Sequence, residues 1–227
     1  MERERKSEAT RVVVTSPGVV RGFDAMHLAT HDGGAFALRA QDAAVPFTTS
    51  LFVAPTYDAT SVLRALERDF ADHGVPFVLR FDRASMHRTD DVAAMLDSAG
   101  VLVLHGPPRC PRFYGQLERT HVDLRAFAPA GVCRTIAEHA SALERARVLL
   151  NCEWCRRSLN YNTAEQRWNA RTIPTLNRGD LREQVLEIER RIREKESELS
   201  AEEYRRFAIQ AALARHQLLR LVPGGYR

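Results

Sequence analysis

Residues 76–104 read PFVLRFDRASMHRTDDVAAMLDSAGVLVL. Two short apolar runs, 76–81 and 101–104, flank a segment, 90–99, that reads as a helix stopped by Gly100. Short apolar runs bounded by turn residues are strands, and parallel neighbours need a helical connection between them. Immediately upstream, residues 59–73 (ATSVLRALERDFADH) place Val62, Leu63, Leu66 and Phe70 at helical spacing and end at Gly74, with Pro76 just beyond. Before that helix come three apolar stretches, 20–28 (VRGFDAMHL), 35–40 (AFALRA) and 47–53 (FTTSLFV), separated by turn signals at Asp32-Gly33-Gly34 and Pro46. A meander of three strands followed by crossover units predicts an α/β fold with a mixed five-stranded sheet flanked by helices.

An RNase-H-like layout satisfies that element order. After the loop HGPPRCPRFYG, helical periodicity resumes near Gln116 and fills most of the remainder, with interruptions around Pro129 and Pro174. Residues 181–199 repeat Leu181, Val185, Ile188 and Ile192 along one stripe, which predicts a long amphipathic helix packed on the chain's own core rather than a coiled coil. The expected organisation is an arm over residues 1–19, a core over 20–176 and a largely helical extension over 177–227.

At 227 residues, one main domain is expected. The balance of 33 basic and 29 acidic residues suits a polyanionic partner without requiring one. No run approaches eighteen apolar residues and the start MERERKSEAT lacks the apolar segment of a signal peptide, so no membrane association and a cytoplasmic location are expected. Cys110, Cys133, Cys152 and Cys155 are too scattered for a disulfide framework. The CxxC of CEWCRR has no second ligand pair at zinc spacing.

Three acids stand where this architecture brings strand ends together: Asp24 within the first strand, Asp82 just past the fourth, and Glu118 at the start of a helix. A carboxylate ending a buried strand must be paired, hydrogen-bonded or bound to a cation. Converging carboxylates with no Lys or Arg between them in the reading favour hard cations such as Mg²⁺ or Mn²⁺. Two such ions activate an attacking oxygen and stabilise a leaving one in phosphoryl transfer.

These residues resemble the catalytic core of retroviral integrases and of bacterial insertion-sequence transposases. The order is Asp, Asp, Glu, and the 35 residues between Asp82 and Glu118 (118 − 82 − 1) match the interval of that family's DD(35)E motif. GFDAMHL is similar to the first-acid strand, LRFD to the second, and GPPRCPRFYGQLERTHVDLRAF to the proline-rich loop and helix that carry the third. SLNYNTAEQRWNARTIPTL is similar to the segment that follows. The likeness runs over about residues 20–176. It implies a DNA transposase or integrase that binds two divalent ions through Asp24, Asp82 and Glu118, and that uses water and then a DNA 3′-hydroxyl to attack phosphodiesters. It further implies a homo-oligomer working on DNA in the bacterial nucleoid, with an end-binding helix-turn-helix module on a separate chain. The sequence departs from the family after the second acid, where Asp82-Arg83-Ala84 replaces Asp-Asn-Gly, and before the third, where Tyr114-Gly115 replaces Asn-Gly. A catalytically silent integrase-fold protein that binds DNA or partners a transposase is therefore the alternative, with an RNase-H-like nuclease as a third reading.

For DNA phosphates the sequence offers Arg83, His105, Arg109, Arg112, Arg119 and Arg125 beside the acids. Arg156, Arg157, Arg167 and Arg171, interleaved with Trp154 and Trp168, form a second basic-aromatic stretch that reads equally as a solvated face with buried Trp anchors. Asp42 reads as a strand-end turn residue, and His27 and His31 as solvated or capping groups near the first acid.

Overall fold

The computed structural model describes residues 10–31, 33–106, 115–129, 133–196 and 198–223. Its centre is the expected five-stranded sheet. Strands β2 (Val20–Thr30), β3 (Gly33–Asp42) and β4 (Thr48–Ala54) form the antiparallel meander. Helix α1 (Ala59–His73) then crosses to β5 (Val78–Phe81), and α2 (Asp90–Ser98) to β6 (Leu102–His105). The strand order is β4-β3-β2-β5-β6, with β2, β5 and β6 mutually parallel. Helix α1 occupies the span read from sequence because both ends are encoded. Asp58 accepts a hydrogen bond from the Ser61 amide at its start, and Gly74 closes it at φ 73°, a conformation that costs glycine least.

The strand period of two divides the core. Phe23, Leu38, Ala40, Leu79 and Phe81 face α1 and α2. On the opposite face, Met26, Leu28, Ala35 and Ala37 lie under α3 (Gly115–Phe127) and α4 (Ile136–Val148). Val20, Val78, Leu102 and Leu104 lie under α6 (Arg178–Lys195) and α7 (Ala201–Arg215). The stripe Leu181, Val185, Ile188 does pack on the chain's own core, as the periodicity indicates. A short helix, α5 (Ala164–Asn169), carries Trp168 onto Phe47, with ring centroids 5.0 Å apart.

The arm and the extension meet. Strand β1 (Thr10–Val14) pairs antiparallel with β7 (Leu219–Pro223), Val12 opposite Leu221, in a two-stranded ribbon beside the α6–α7 hairpin. Edge strand β4 is covered at Thr48, whose backbone N–H and C=O both bond the Asn151 side chain, at 3.0 and 2.9 Å.

Candidate active site

The parallel register of β2 and β5 decides the geometry. Val20 lies opposite Val78 and Phe23 opposite Phe81, so the next residue on each chain segment, Asp24 and Asp82, stand side by side. Their environments differ. Burial, and then the nearby Asp82 charge, push the Asp24 carboxyl above the usual range, against the hydrogen bond it accepts from the Ala25 N–H. Burial also acts to raise Asp82, but is outweighed by its 2.6 Å contact with His87 Nδ1 and the Ala84 N–H bond at 3.0 Å, which hold it below the usual range. Asp82 is one residue past the end of β5 and its side chain is 41% exposed, so the pair is open to solvent.

Helix α3 is drawn over this pair by two contacts. Fully buried Arg39 donates to the Leu117 carbonyl at 2.7 Å, and Leu117 packs directly on Gly22, where a Cβ would meet Leu117 Cδ1 at 2.5 Å. One turn along, His121 Nδ1 lies 3.6 Å from Asp24 Oδ2. Burial first, then the charges of Arg39 and Arg125, depress His121 to about 3, so its imidazole is neutral despite the neighbouring carboxylate.

Glu118 lies on the first turn of α3, three residues before His121 and exposed to solvent. Residues three apart on a helix share a side, but Glu118 is exposed where His121 is buried. Among the described residues, no group of three or more His, Cys, Asp or Glu side chains stands ready to hold a metal ion.

Arg39 corrects the reading that no Lys or Arg intervenes among the acids. It lies directly opposite Asp24 in the β2–β3 pairing, and burial lowers its guanidinium to about 9 against the raising effects of Asp24 and Asp123. Its sequence signal is weak, because an Arg in AFALRAQD gains meaning only once the strand register is known. Tyr57 and His87 carry no signal in the sequence; His87 lies beside the second acid and the Tyr57 hydroxyl lies 2.7 Å from His87 Nε2.

The expected DNA-contacting residues separate into groups. Arg83 is exposed, forms an ion pair with Glu202 of α7 and donates to the Gly106 carbonyl at 3.0 Å, so its guanidinium does not fold onto Asp24 or Asp82. Burial pushes the His105 imidazole below its ordinary range, and its Nδ1–H meets the Asp82 carbonyl at 3.1 Å. Arg119 is exposed and lies 3.6 Å from Asp123, while Arg125 donates to Met26 Sδ. Arg109 and Arg112, with Cys110 and Tyr114, fall outside the described residues. Trp168 is buried under Arg171, as the anchor reading has it, whereas Trp154 is exposed against Phe127. Asp42 is the strand-end turn residue, accepting from the Gly18, Ala44 and Val45 amides. His27 is exposed and packs edge-on against Phe36.

No family model and no curated protein matches the chain in sequence. Solved structures do match in fold. A chain of the simian T-cell lymphotropic virus intasome, solved with the PP2A regulatory subunit B56 gamma, superposes with a TM-score of 0.64 at 15% identity over 73% of this chain. This chain spans 59% of that one. The HTLV-2 integrase catalytic core domain, solved in complex with magnesium, gives 0.57 at 14% identity, covering 66% of this chain and 96% of that domain. The catalytic core domain of BIV integrase gives 0.56 at 20% identity, covering 67% and 94%. At such identities the likeness establishes an integrase-like, RNase-H-like core fold.

Proposed function

We propose that this chain is a divalent-metal-dependent polynucleotidyl transferase that cuts and joins DNA, a recombinase of the transposase and integrase kind serving a mobile element. The observation that carries this reading is the register-fixed pair Asp24 and Asp82, two carboxylates at neighbouring strand positions, the first raised chiefly by burial and further by the charge of the second. Hard oxygen donors in mutual repulsion are what a Mg²⁺ or Mn²⁺ ion relieves. Two such ions supply charge for the attacking and leaving oxygens of a phosphodiester. The protein's own contribution is position. Asp24 and Asp82 would hold the ions, and Glu118 on the first turn of α3 would complete the site. The exposed Arg119 would meet backbone phosphate. The substrate would be DNA bound by an oligomer of this chain, with sequence recognition supplied by a separate helix-turn-helix chain.

A second reading has a specific observation behind it: Arg39 places a buried cation beside Asp24, and Glu118 stands outside the pair. Both features suit a silent integrase-fold DNA-binding protein. Calorimetric titration with Mn²⁺ separates the two. The active reading expects saturable binding that is lost in Asp24→Asn and Asp82→Asn alike. The silent reading expects no binding in the parent chain.

A further inference from the structure

The basic-aromatic stretch that follows α4 lies against α3, the helix that carries Glu118 and His121. Asp123 and Phe127 stand one turn apart on that helix, well round its circumference from His121. The Trp154 ring meets the Phe127 ring at a steep angle with centroids 5.4 Å apart, and Arg156 Nη1 lies 3.9 Å from Asp123 Oδ2. An antiparallel bridge between Arg156 and Asn162 fixes the backbone at the second contact. The aromatic pair and the Arg156 head are thus spaced by one helical turn, about 5 Å along α3.

Neither end is completed by the chain's own groups. Trp154 and Phe127 are 45% and 41% exposed and touch each other, so they form one apolar ledge facing water. Arg156 Nε and Nη2 are buried and make no hydrogen bond among the described residues, and the 3.9 Å approach of Nη1 to Asp123 is too long to be one. Exposed Arg119, 3.6 Å from the other Asp123 oxygen, adds a second guanidinium, so one carboxylate stands between two cations. Burial pulls the Arg156 guanidinium below its ordinary value, and the Arg119 charge adds to this against Asp123. An anion that accepts from the idle Arg156 N–H groups relieves both effects.

We infer that this flank of α3 is a subsite for an unpaired nucleotide of a DNA strand: Arg156 and Arg119 take its phosphate, and Trp154, backed by Phe127, stacks on its base. Guanidinium groups bind phosphate through their N–H donors, and an unpaired base offers an exposed indole its π-face. In a duplex that face is covered by neighbouring bases, so the ledge selects unpaired strand. The cations favour this occupant over an apolar protein surface, which would bury them without a partner.

The inference takes DNA as the substrate from the proposed function, but its test needs neither metal nor cleavage. In EDTA, the parent chain is titrated with a short oligodeoxythymidine and with the duplex of that strand and oligodeoxyadenosine, followed by label anisotropy and by tryptophan emission. Of the two tryptophans, Trp154 is exposed and Trp168 buried, so stacking should quench the Trp154 emission. Trp154→Ala should weaken single-strand binding on the order of tenfold and leave duplex binding unchanged, whereas Trp154→Phe should keep most of the affinity and lose the quench. Arg156→Gln should weaken single-strand binding and reduce its salt slope by about 0.7, one phosphate contact. Single-strand affinity indifferent to Trp154→Ala, or equal losses on both DNA forms, overturns the inference and leaves the proposed function standing. Quenching by free deoxythymidine monophosphate as strong as by the oligomer overturns it in favour of a free nucleotide. A Trp154→Ala chain altered only in its oligomeric state overturns it in favour of a second copy of the chain. The expected binding by a chain that never cuts DNA would sink the proposed function and keep this inference, and a parent chain that binds neither DNA form overturns both.

Discussion

Asp24 and Arg39 face each other across the antiparallel β2–β3 pair, so a fully buried guanidinium stands beside the first acid of the candidate site. Arg39 also holds the start of α3 through the Leu117 carbonyl. One residue therefore both sets the roof of the site and opposes a cation entering it. Replacing Arg39 with Met keeps an unbranched apolar stem and removes the charge, and should raise Mn²⁺ affinity on the order of tenfold, because an internal cation no longer competes with the ion. Unchanged affinity, measured by calorimetry on a variant with the parental circular dichroism spectrum, would place the bound metal away from Asp24.

Gly22 sets the height of α3 above the sheet. A Cβ there would sit 2.5 Å from Leu117 Cδ1 and 3.0 Å from Cγ, so Gly22→Ala should force the first turn of α3 outward and cost about 1–3 kcal/mol. Because Glu118 follows Leu117, DNA cleavage should fall more than stability alone explains. The double variant Gly22→Ala with Leu117→Ala should relieve the overlap and regain part of the loss. Additive losses in urea melts of the two single variants would contradict this packing.

Stability should depend on acid through His121. Its folded pKa is about 3 against 6.5 for an unhindered histidine, so between those values the unfolded chain binds the extra proton. The stabilisation from keeping this group neutral is complete above about 6.5 and is lost as pH falls toward 3. Asp42 acts in the opposite sense. Its carboxyl is pushed up to about 6, chiefly by burial, so the folded state holds a proton that the unfolded chain releases above 3.8. Urea melts from pH 7 to pH 5 should isolate the histidine when compared with His121→Gln. The parental curve should fall more steeply with acid, by up to about 1.4 kcal/mol per pH unit. Parallel curves would mean that His121 takes up its proton in the folded state.

The sheet and its helices were legible because each carries a local signal. Apolar runs are cut by Gly33-Gly34, Gly74 and Gly100, and one long stripe, Leu181 to Ile188, faces the core. The neighbouring positions of Asp24 and Asp82 were also legible, since a crossover after a meander sets β5 parallel beside β2. What escaped depends on register or on distant partners. Arg39 becomes a neighbour of Asp24 only through one of several alignments of β3. The β1–β7 ribbon joins segments some 200 residues apart, both too short to announce a pairing. The ion pair of Arg83 with Glu202 joins the second-acid segment to a helix residue 119 positions on, with no local sign of that contact. His87 carries no signal in the sequence, because only the 3₁₀ turn Ser85–His87 brings it beside Asp82.

The most direct test of the account is the nicking of supercoiled plasmid DNA with Mg²⁺ or Mn²⁺, by the parent chain and by Asp24→Asn, Asp82→Asn and Glu118→Gln, each checked for an unchanged melting temperature. The account predicts metal-dependent nicking by the parent chain, abolished by either aspartate substitution and reduced at least 100-fold by Glu118→Gln, in keeping with loss of transition-state charge stabilisation. Nicking that survives Asp82→Asn, or a parent chain that binds DNA and never cuts it, would contradict it.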